Sequence, residues 1–328
     1  MSFFAILFAL LLEQVRPLAP QNPVHAGVRH WAGWVSRNFN AGRAYDGWVA
    51  WWLTVGVPSL GAVLVHWLLV SLLGWPFAVL WHVALLYVTL GFRQFSHHFT
   101  EIRDALESGD EALARERLAQ WQQVDASELP RSEIVRHVIE YSVLAAHRHV
   151  FGVLAWYSVL AMFGLGPAGA VLYRTSEFVA RFWKRQPVDV SRPAASTLQD
   201  AATRAWMLID WLPARFTALG FAVVGSFEEA IDSWRHYAQR FPNDNDGVIL
   251  AATSGAINVR LGGEALRTTD VPLLEPSGED AELQADTEST PGREPMVAHL
   301  AQVVGLVWRT VVMWMLLLAL LTLARLLG

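Results

Sequence analysis

The feature that most constrains this chain is a set of apolar runs long enough to cross a lipid bilayer. A spanning helix needs about 20 mainly apolar residues. Trp48–Leu73 reaches that length, interrupted by Pro58, Gly61 and His66. Phe77–Phe92 follows after Gly74-Trp75-Pro76 and reads as the return arm of a hairpin. Val150–Tyr173 is long enough but carries Gly164-Leu165-Gly166-Pro167-Ala168-Gly169 past its middle. Val303–Ala324 closes the series, with Arg309 near its start and Arg325 beyond its far edge. Two further segments are weaker. Ser2–Leu12 is short, and without a basic start or small-residue cleavage site it reads as retained rather than as a signal peptide. Trp206–Phe227 contains Asp210 and Arg215, so it lies at the interface or packs inside a bundle. The expected fold is therefore all-α: a polytopic integral membrane protein with about five membrane segments and a helical extramembrane portion.

Composition agrees. Hydrophobic residues make up 53% and charged residues 17% of the chain, against roughly 25% charged in a soluble domain. This argues against a soluble enzyme, a disordered protein or a nucleic-acid binder. The absence of Cys excludes disulfides, thiolate metal sites and cysteine nucleophiles. The net charge of −5 is uneven, because nine acidic residues and only Arg267 and Arg293 lie between Glu264 and Glu294. The rest of the chain is slightly basic outside its apolar runs, which suits contact with anionic lipid headgroups.

Between the apolar runs, Arg93–His149 has a helical pattern, with Ser108-Gly109-Asp110 as a turn and N-cap and Pro130-Arg131-Ser132-Glu133 starting a helix that runs into the third long segment. Arg174–Arg204 is basic. Pro272–Pro295 reads as disordered linker from its composition. The expected organisation is membrane segments over 1–92, a helical extramembrane region over 93–149, and membrane or re-entrant segments with a basic loop over 150–227. An extramembrane region follows over 228–263, then an acidic linker over 264–302 and a membrane helix over 303–328. Seven Arg in Arg93–His149 and six Lys/Arg in Arg174–Arg204 conflict with the positive-inside rule if Val150–Tyr173 crosses the membrane. Two half-helices broken at the glycines, forming a re-entrant hairpin, would remove the conflict, provided protein covers the freed backbone groups.

Few residues carry chemistry by pattern alone. His97 and His98 share a helical face with Glu101, but no tight metal-ligand spacing such as His-Glu-x-x-His occurs, so no metal site is expected. His147 and His149, two apart, do not share a face. Trp48, Trp51, Trp52, Trp75, Trp81, Trp183, Trp211 and Trp308 sit near segment ends, as an interfacial aromatic belt would place them. Asp210 and Arg215 stand inside an apolar run, where charges pair or face a polar cavity. Pro213 between them kinks or starts a helix. In Asn258-Val259-Arg260-Leu261-Gly262-Gly263, adjacent glycines after an Arg would let backbone N–H groups approach a phosphate while the guanidinium forks onto it; on spacing alone this is also an ordinary loop.

Several blocks together resemble the cobalamin-biosynthesis membrane proteins CobD and CbiB and their relative AmpE. Asn22-Pro23-Val24-His25 stands where that family has a His-Pro-Val-Arg block. His98, Ala105-Leu106, Gly109-Asp110 and Ala114-Arg115 are similar to its soluble helical pair, and Glu140 through Trp156 follows its frame. Leu208–Arg215 is close to its Asn-Trp-(Ile/Leu)-Pro-Ala-Arg segment. Pro242-Asn243 and Ser254–Gly263 resemble its C-terminal end, which closes on Arg-Leu-Gly-Gly. The chain departs from the family at its Glu-Asn-x-x-Asp block, which falls on Leu144, Ala145 and Arg148. It departs again at its Asn-Thr-x-Asp block, which falls on Glu177, Phe178 and Ala180.

The resemblance implies a multi-pass protein of the bacterial inner membrane that amidates adenosylcobyric acid with aminopropanol or its phosphate. ATP and Mg²⁺ would serve as cofactors of that ligase chemistry, with a corrinoid as substrate. On this reading His98, Glu140 and Asp210 are the candidate catalytic groups. Asn243, Arg260, Gly262, Gly263 and Arg215 are the candidate substrate and phosphate contacts. The alternative is an AmpE-like non-catalytic membrane protein in signalling. Expected partners are membrane lipids and a membrane protein or second copy, with no nucleic acid.

Overall fold

The computed structural model describes residues 2–18, 22–39, 43–122, 125–185, 194–263 and 289–327. It is all-α: among the described residues the only β pairing is two isolated bridges, Val259 with Arg293 and Gly262 with Ser289. Four helical stretches are long and apolar enough to cross a membrane, Tyr45–Leu72, Arg131–Met162, Thr197–Val224 and Val297–Ala324; Phe3–Val15 and Trp75–Thr89 are shorter apolar helices. The chain is a polytopic helical membrane protein. Its helices form two compact units, one of residues 1–94, 148–213 and 315–328, the other of residues 95–147 and 214–314.

The first unit holds α1 (Ser2–Val15), α2 (Pro23–Asn38), α3 (Ala44–Trp51), α4 (Val57–Leu72) and α5 (Trp75–Thr89). Asn22 caps α2 by accepting the His25 N–H at 2.8 Å, with Pro23 in the first turn. The family-like Asn-Pro-Val-His block is thus a helix start that presents His25. A π-helical turn, Trp52–Gly56, joins α3 to α4 just before Pro58, absorbing the hydrogen bond that the proline cannot make. Gly74, at φ 87°, turns α4 back into α5, as the hairpin expectation required. His66 in the apolar run is satisfied there: it bonds His82 at 3.0 Å, and His82 bonds the Tyr157 hydroxyl at 2.8 Å.

The third apolar run departs from a single span. It breaks after α9 (Gly152–Met162) and resumes as α10 (Ala168–Lys184), with Gly164 and Gly166 at positive φ in the turn. The arms are antiparallel, because Gly152 lies against Tyr173 and Gly169 against the Trp156 backbone. Glycine is needed at both contacts, since a Cβ would overlap the opposite arm. The long apolar helix here is instead Arg131–Met162, in which α8 (Arg131–Ala146) continues through a π-helical turn, His147–Phe151, into α9. The tryptophans divide: Trp51 and Trp183 are core residues with Val35, Val55 and Val179, whereas Trp52, Trp75 and Trp211 are exposed.

Pro213 neither starts nor ends a helix; it lies inside α11 (Ala194–Val224). Its ring removes the donor that would have served the carbonyl of Ile209, four residues back. The Trp156 indole Nε1 donates to that carbonyl at 2.8 Å, which explains how an apolar helix tolerates the proline.

The second unit holds the larger part of α6 (Phe92–Glu107), then α7 (Glu111–Gln122) and α8. It also holds the later part of α11, α12 (Phe227–Tyr237), α13 (Asp244–Ile257) and most of α14 (Val297–Leu327). Gly109 turns α6 into α7 and Asp110 caps α7 by accepting the Leu113 N–H at 3.0 Å. Helix α13 is buried along most of its length, and it approaches α12 closely because Gly255 carries no Cβ to strike the Glu229 carbonyl. The linker expectation falls mainly on 264–288, outside the described residues. It does not extend through 302: Ser289–Arg293 pair with Asn258–Gly262, and α14 begins at Val297.

Trp156→Phe keeps the aromatic bulk and removes the donor to Ile209. Leaving that carbonyl without a partner is expected to cost about 1–3 kcal/mol, read as a lower thermal midpoint of the detergent-solubilised chain. An unchanged midpoint would show that another group serves it.

Candidate functional site

The Arg-Leu-Gly-Gly segment is built by the end of α13. Asn258 ends that helix in the left-handed conformation at φ 52°. The chain then runs extended beside residues 289–293. Arg260 N–H donates to the Arg293 carbonyl at 2.8 Å, and Arg293 N–H to the Asn258 carbonyl at 3.2 Å. Thr290 is the staple: its hydroxyl accepts the Leu261 N–H at 2.8 Å and the Ser254 hydroxyl at 2.6 Å. Gly292, at φ 138°, lies against the Val259 backbone where a Cβ would collide.

Beneath this segment is a charged triad on α8, with Arg136 and Glu140 buried and Glu133 half-buried. Glu140 accepts Arg136 Nη1 at 3.1 Å, and Arg136 also pairs with Glu133. Spacings of three and four residues put all three on one face. The second function of Glu140 is to accept the Gly262 N–H at 2.7 Å. Glu140 and Gly262, predicted as catalytic and phosphate-binding residues, are thus bonded to each other. The Gly262 amide is committed to a carboxylate, and anion contact at this segment falls to the exposed Arg260 side chain. Gly263, at φ 113°, passes beside the Arg136 guanidinium. A buried carboxylate and guanidinium hold each other in place only with their remaining hydrogen bonds filled, so Glu140 and Arg136 position the glycine turn.

The other predicted residues of this unit are less tightly gathered. His98 stacks on Trp121 with ring centres 5.8 Å apart, and Trp121 packs edge-on to Tyr141, the neighbour of Glu140. Glu101 pairs with His97 at 3.3 Å, as the helical spacing predicted. Asn243 precedes α13 and donates to Asp246 at 3.0 Å. Arg215 donates to the buried Asn245 at 3.2 Å. Asp210 belongs to the first unit, where it accepts the Tyr173 hydroxyl at 2.7 Å.

Sequence reasoning missed a second charged cluster, in the first unit. Glu177, buried on α10, pairs with Arg174 at 2.7 Å and with Arg181. Arg148 lies within electrostatic reach of Glu177, and His25 of His149. The positions read as departures from the family blocks, Arg148 and Glu177, therefore belong to one charged cluster, within electrostatic reach of each other. Each looked like an isolated loss; together they are opposite charges. The signal was the three- and four-residue spacing of Arg174, Glu177 and Arg181. Burial pushes the Glu177 carboxyl up, but Arg181, Arg174 and Arg148 outweigh it and hold the group below its ordinary range.

The donor set does not form a magnesium cage. Among the described residues no three His, Asp or Glu side chains converge to hold a metal ion, and Glu140 and Glu177 are engaged by guanidinium groups.

The model of the family described as CobD/Cbib protein matches residues 3–291. The chain belongs to the CobD/CbiB family. It is 31% identical over 325 residues, 96% of each chain, to a protein of Stutzerimonas stutzeri named cobalamin biosynthesis protein CobD. Proteins of that name from Chromobacterium violaceum and Leptospira interrogans are 35% identical over 56% of this chain and 55% of the relative, and 28% over 61% and 59%. These likenesses favour the CobD/CbiB side of the resemblance over AmpE. No solved structure matches the chain.

Glu140→Ala leaves Arg136 buried with Glu133 as its remaining carboxylate and is expected to cost about 3–5 kcal/mol. Glu140→Gln, which keeps an acceptor for Gly262, should cost less; thermal unfolding of the two variants compares charge with acceptor. The depressed Glu177 stabilises the fold above the carboxyl's unfolded value, and this contribution is lost as pH falls through the folded one. Glu177→Gln should therefore flatten the acid side of the stability profile, and an unaltered profile would deny the cluster that role.

Proposed function

We propose that this chain acts in cobalamin biosynthesis as a multi-pass protein of the bacterial inner membrane, joining adenosylcobyric acid to aminopropanol or its phosphate through an amide bond. The observation that carries the reading is the near end-to-end likeness to a protein named for cobalamin biosynthesis, together with the family match that takes in the Arg260–Gly263 segment. Amide formation needs the corrinoid carboxyl activated, for which a phosphate or nucleotide serves, and charge on the reacting oxygens is stabilised by preorganised donors. Arg260 is the group proposed to meet that anionic charge. Glu140 and Arg136 hold the glycine turn that presents it, His98 offers an imidazole on the same unit, and Asn243 and Arg215 act through α13. Asp210 supports α10 through Tyr173.

The reading is tested by expressing the chain in a bacterium lacking its own CobD or CbiB and measuring corrinoid-dependent growth and adenosylcobinamide formation. Restoration is expected, with Arg260→Ala reducing product by about 100-fold, the scale of one lost transition-state donor, and Arg260→Lys retaining part of the activity. No product from a chain shown to be in the membrane would overturn it and bring the AmpE-like reading forward.

A further inference from the structure

The first unit contains a cavity of about 440 Å³, within the usual size range of small-molecule sites, that the proposed function does not use. Four helices wall it, each with residues at helical spacing: Val24, His25, Val28 and Arg29 of α2 and corresponding faces of α4, α5 and α10. Gly61, Val65, Leu85, Val88 and Phe178 make most of it apolar.

The cavity is polarised along its length. Because α4 and α5 form a hairpin, bonded from Trp81 Nε1 to the Ala62 carbonyl at 3.2 Å, Pro58 and Thr89 stand at one end and Val65 and Trp81 at the other. Gly166 at the start of the second hairpin arm touches His66, so Arg174, two turns further along α10, stands at the Pro58 end. His25, Arg29 and Arg174 gather there. Behind them, Arg148 and Arg181 join Arg174 around Glu177. Among the described residues, Arg29, Arg148, Arg174 and Arg181 gather here with three carboxylates: Glu177, Asp210, which is reached through Tyr173, and Glu13, buried near the end of α1 where the Arg16 carbonyl accepts the Tyr87 hydroxyl of α5. Guanidinium groups of Arg29 and Arg174 at the edge of a low-dielectric cavity suit an anion. The outer face of α4 is apolar and open, with Leu60 and Leu64 64% and 70% exposed, so the hydrocarbon phase of the membrane borders the same wall.

We propose that this cavity seats one anionic phospholipid, its phosphate on Arg29 and Arg174 and an acyl chain along α4 and α5 toward Trp81. Charge complementarity selects the headgroup and the apolar far end selects the chain. The site uses none of the residues of the Arg260 segment and does not require the ligase reading.

Two variants leave the charged core intact. Arg29 is exposed, and Arg29→Gln removes one headgroup contact. At Gly61 an added Cβ would meet no atom within 4 Å, so Gly61→Phe fills the cavity from a position with room. The delipidated full-length chain in detergent is titrated with dioleoyl-phosphatidylglycerol, dioleoyl-phosphatidylcholine or inorganic phosphate and observed by native mass spectrometry. Phosphatidylglycerol is expected to bind in preference to phosphatidylcholine. Arg29→Gln should weaken it roughly five-fold, the worth of one basic residue at an anionic headgroup, and Gly61→Phe should abolish it without lowering the thermal midpoint. Equal binding of the two lipids, undiminished binding to Gly61→Phe, or full displacement by millimolar inorganic phosphate would each overturn the proposal. The last result would assign the site to a free anion.

Discussion

A backbone surrounded by apolar side chains has no water to turn to, and this requirement shapes every irregular point of the fold. Each freed donor or acceptor must find its partner within the protein. Pro213 leaves the Ile209 carbonyl open, and an indole from the α9–α10 hairpin fills it. That hairpin closes because Gly152 and Gly169 let the arms touch backbone to side chain. Where Pro58 interrupts the first long apolar helix, a π-helical turn takes up the mismatch.

Charges in the same medium obey a stricter version of the rule. Isolated they would be prohibitively costly, so they occur as clusters whose members lock one another. On α8, the Glu140 Oε1 that pairs with Arg136 also accepts the Gly262 amide, and the Arg-Leu-Gly-Gly segment takes its position from that bond. On α10, Glu177 draws two arginines of its own helix together. The two clusters differ in balance. The first has two carboxylates to one guanidinium and is satisfied from the protein backbone; the second is rich in guanidinium and borders a cavity.

Local devices were legible because they depend on residues a few positions apart. The N-cap at Asp110, the turn at Gly74 and the pairing of His97 with Glu101 follow from spacing alone. The Gly164–Gly169 break was legible as a break, and the structure shows that the arms fold back on each other. The assignment of Glu140 to catalysis and of Gly262 to phosphate failed to anticipate that they bond each other, since they meet only when α13 packs near α8. For the same reason Arg148 and Glu177 read as two unrelated departures. A substitution of charge is understood by what faces it, and what faces it lies on another helix.

The sequence by itself determined the class of the molecule, its apolar helices, its family and the residues with chemistry to offer, because periodicity, hydropathy and motif spacing are properties of neighbouring positions. Only the tertiary structure decided which of those residues share a site. It put Asp210 with Tyr173 and Arg260 beside Arg293, and it placed His25 and Arg174 at the mouth of one cavity. Those choices rest on helix packing across glycine contacts and on burial, which raises the cost of an unpaired charge until distant residues are brought together.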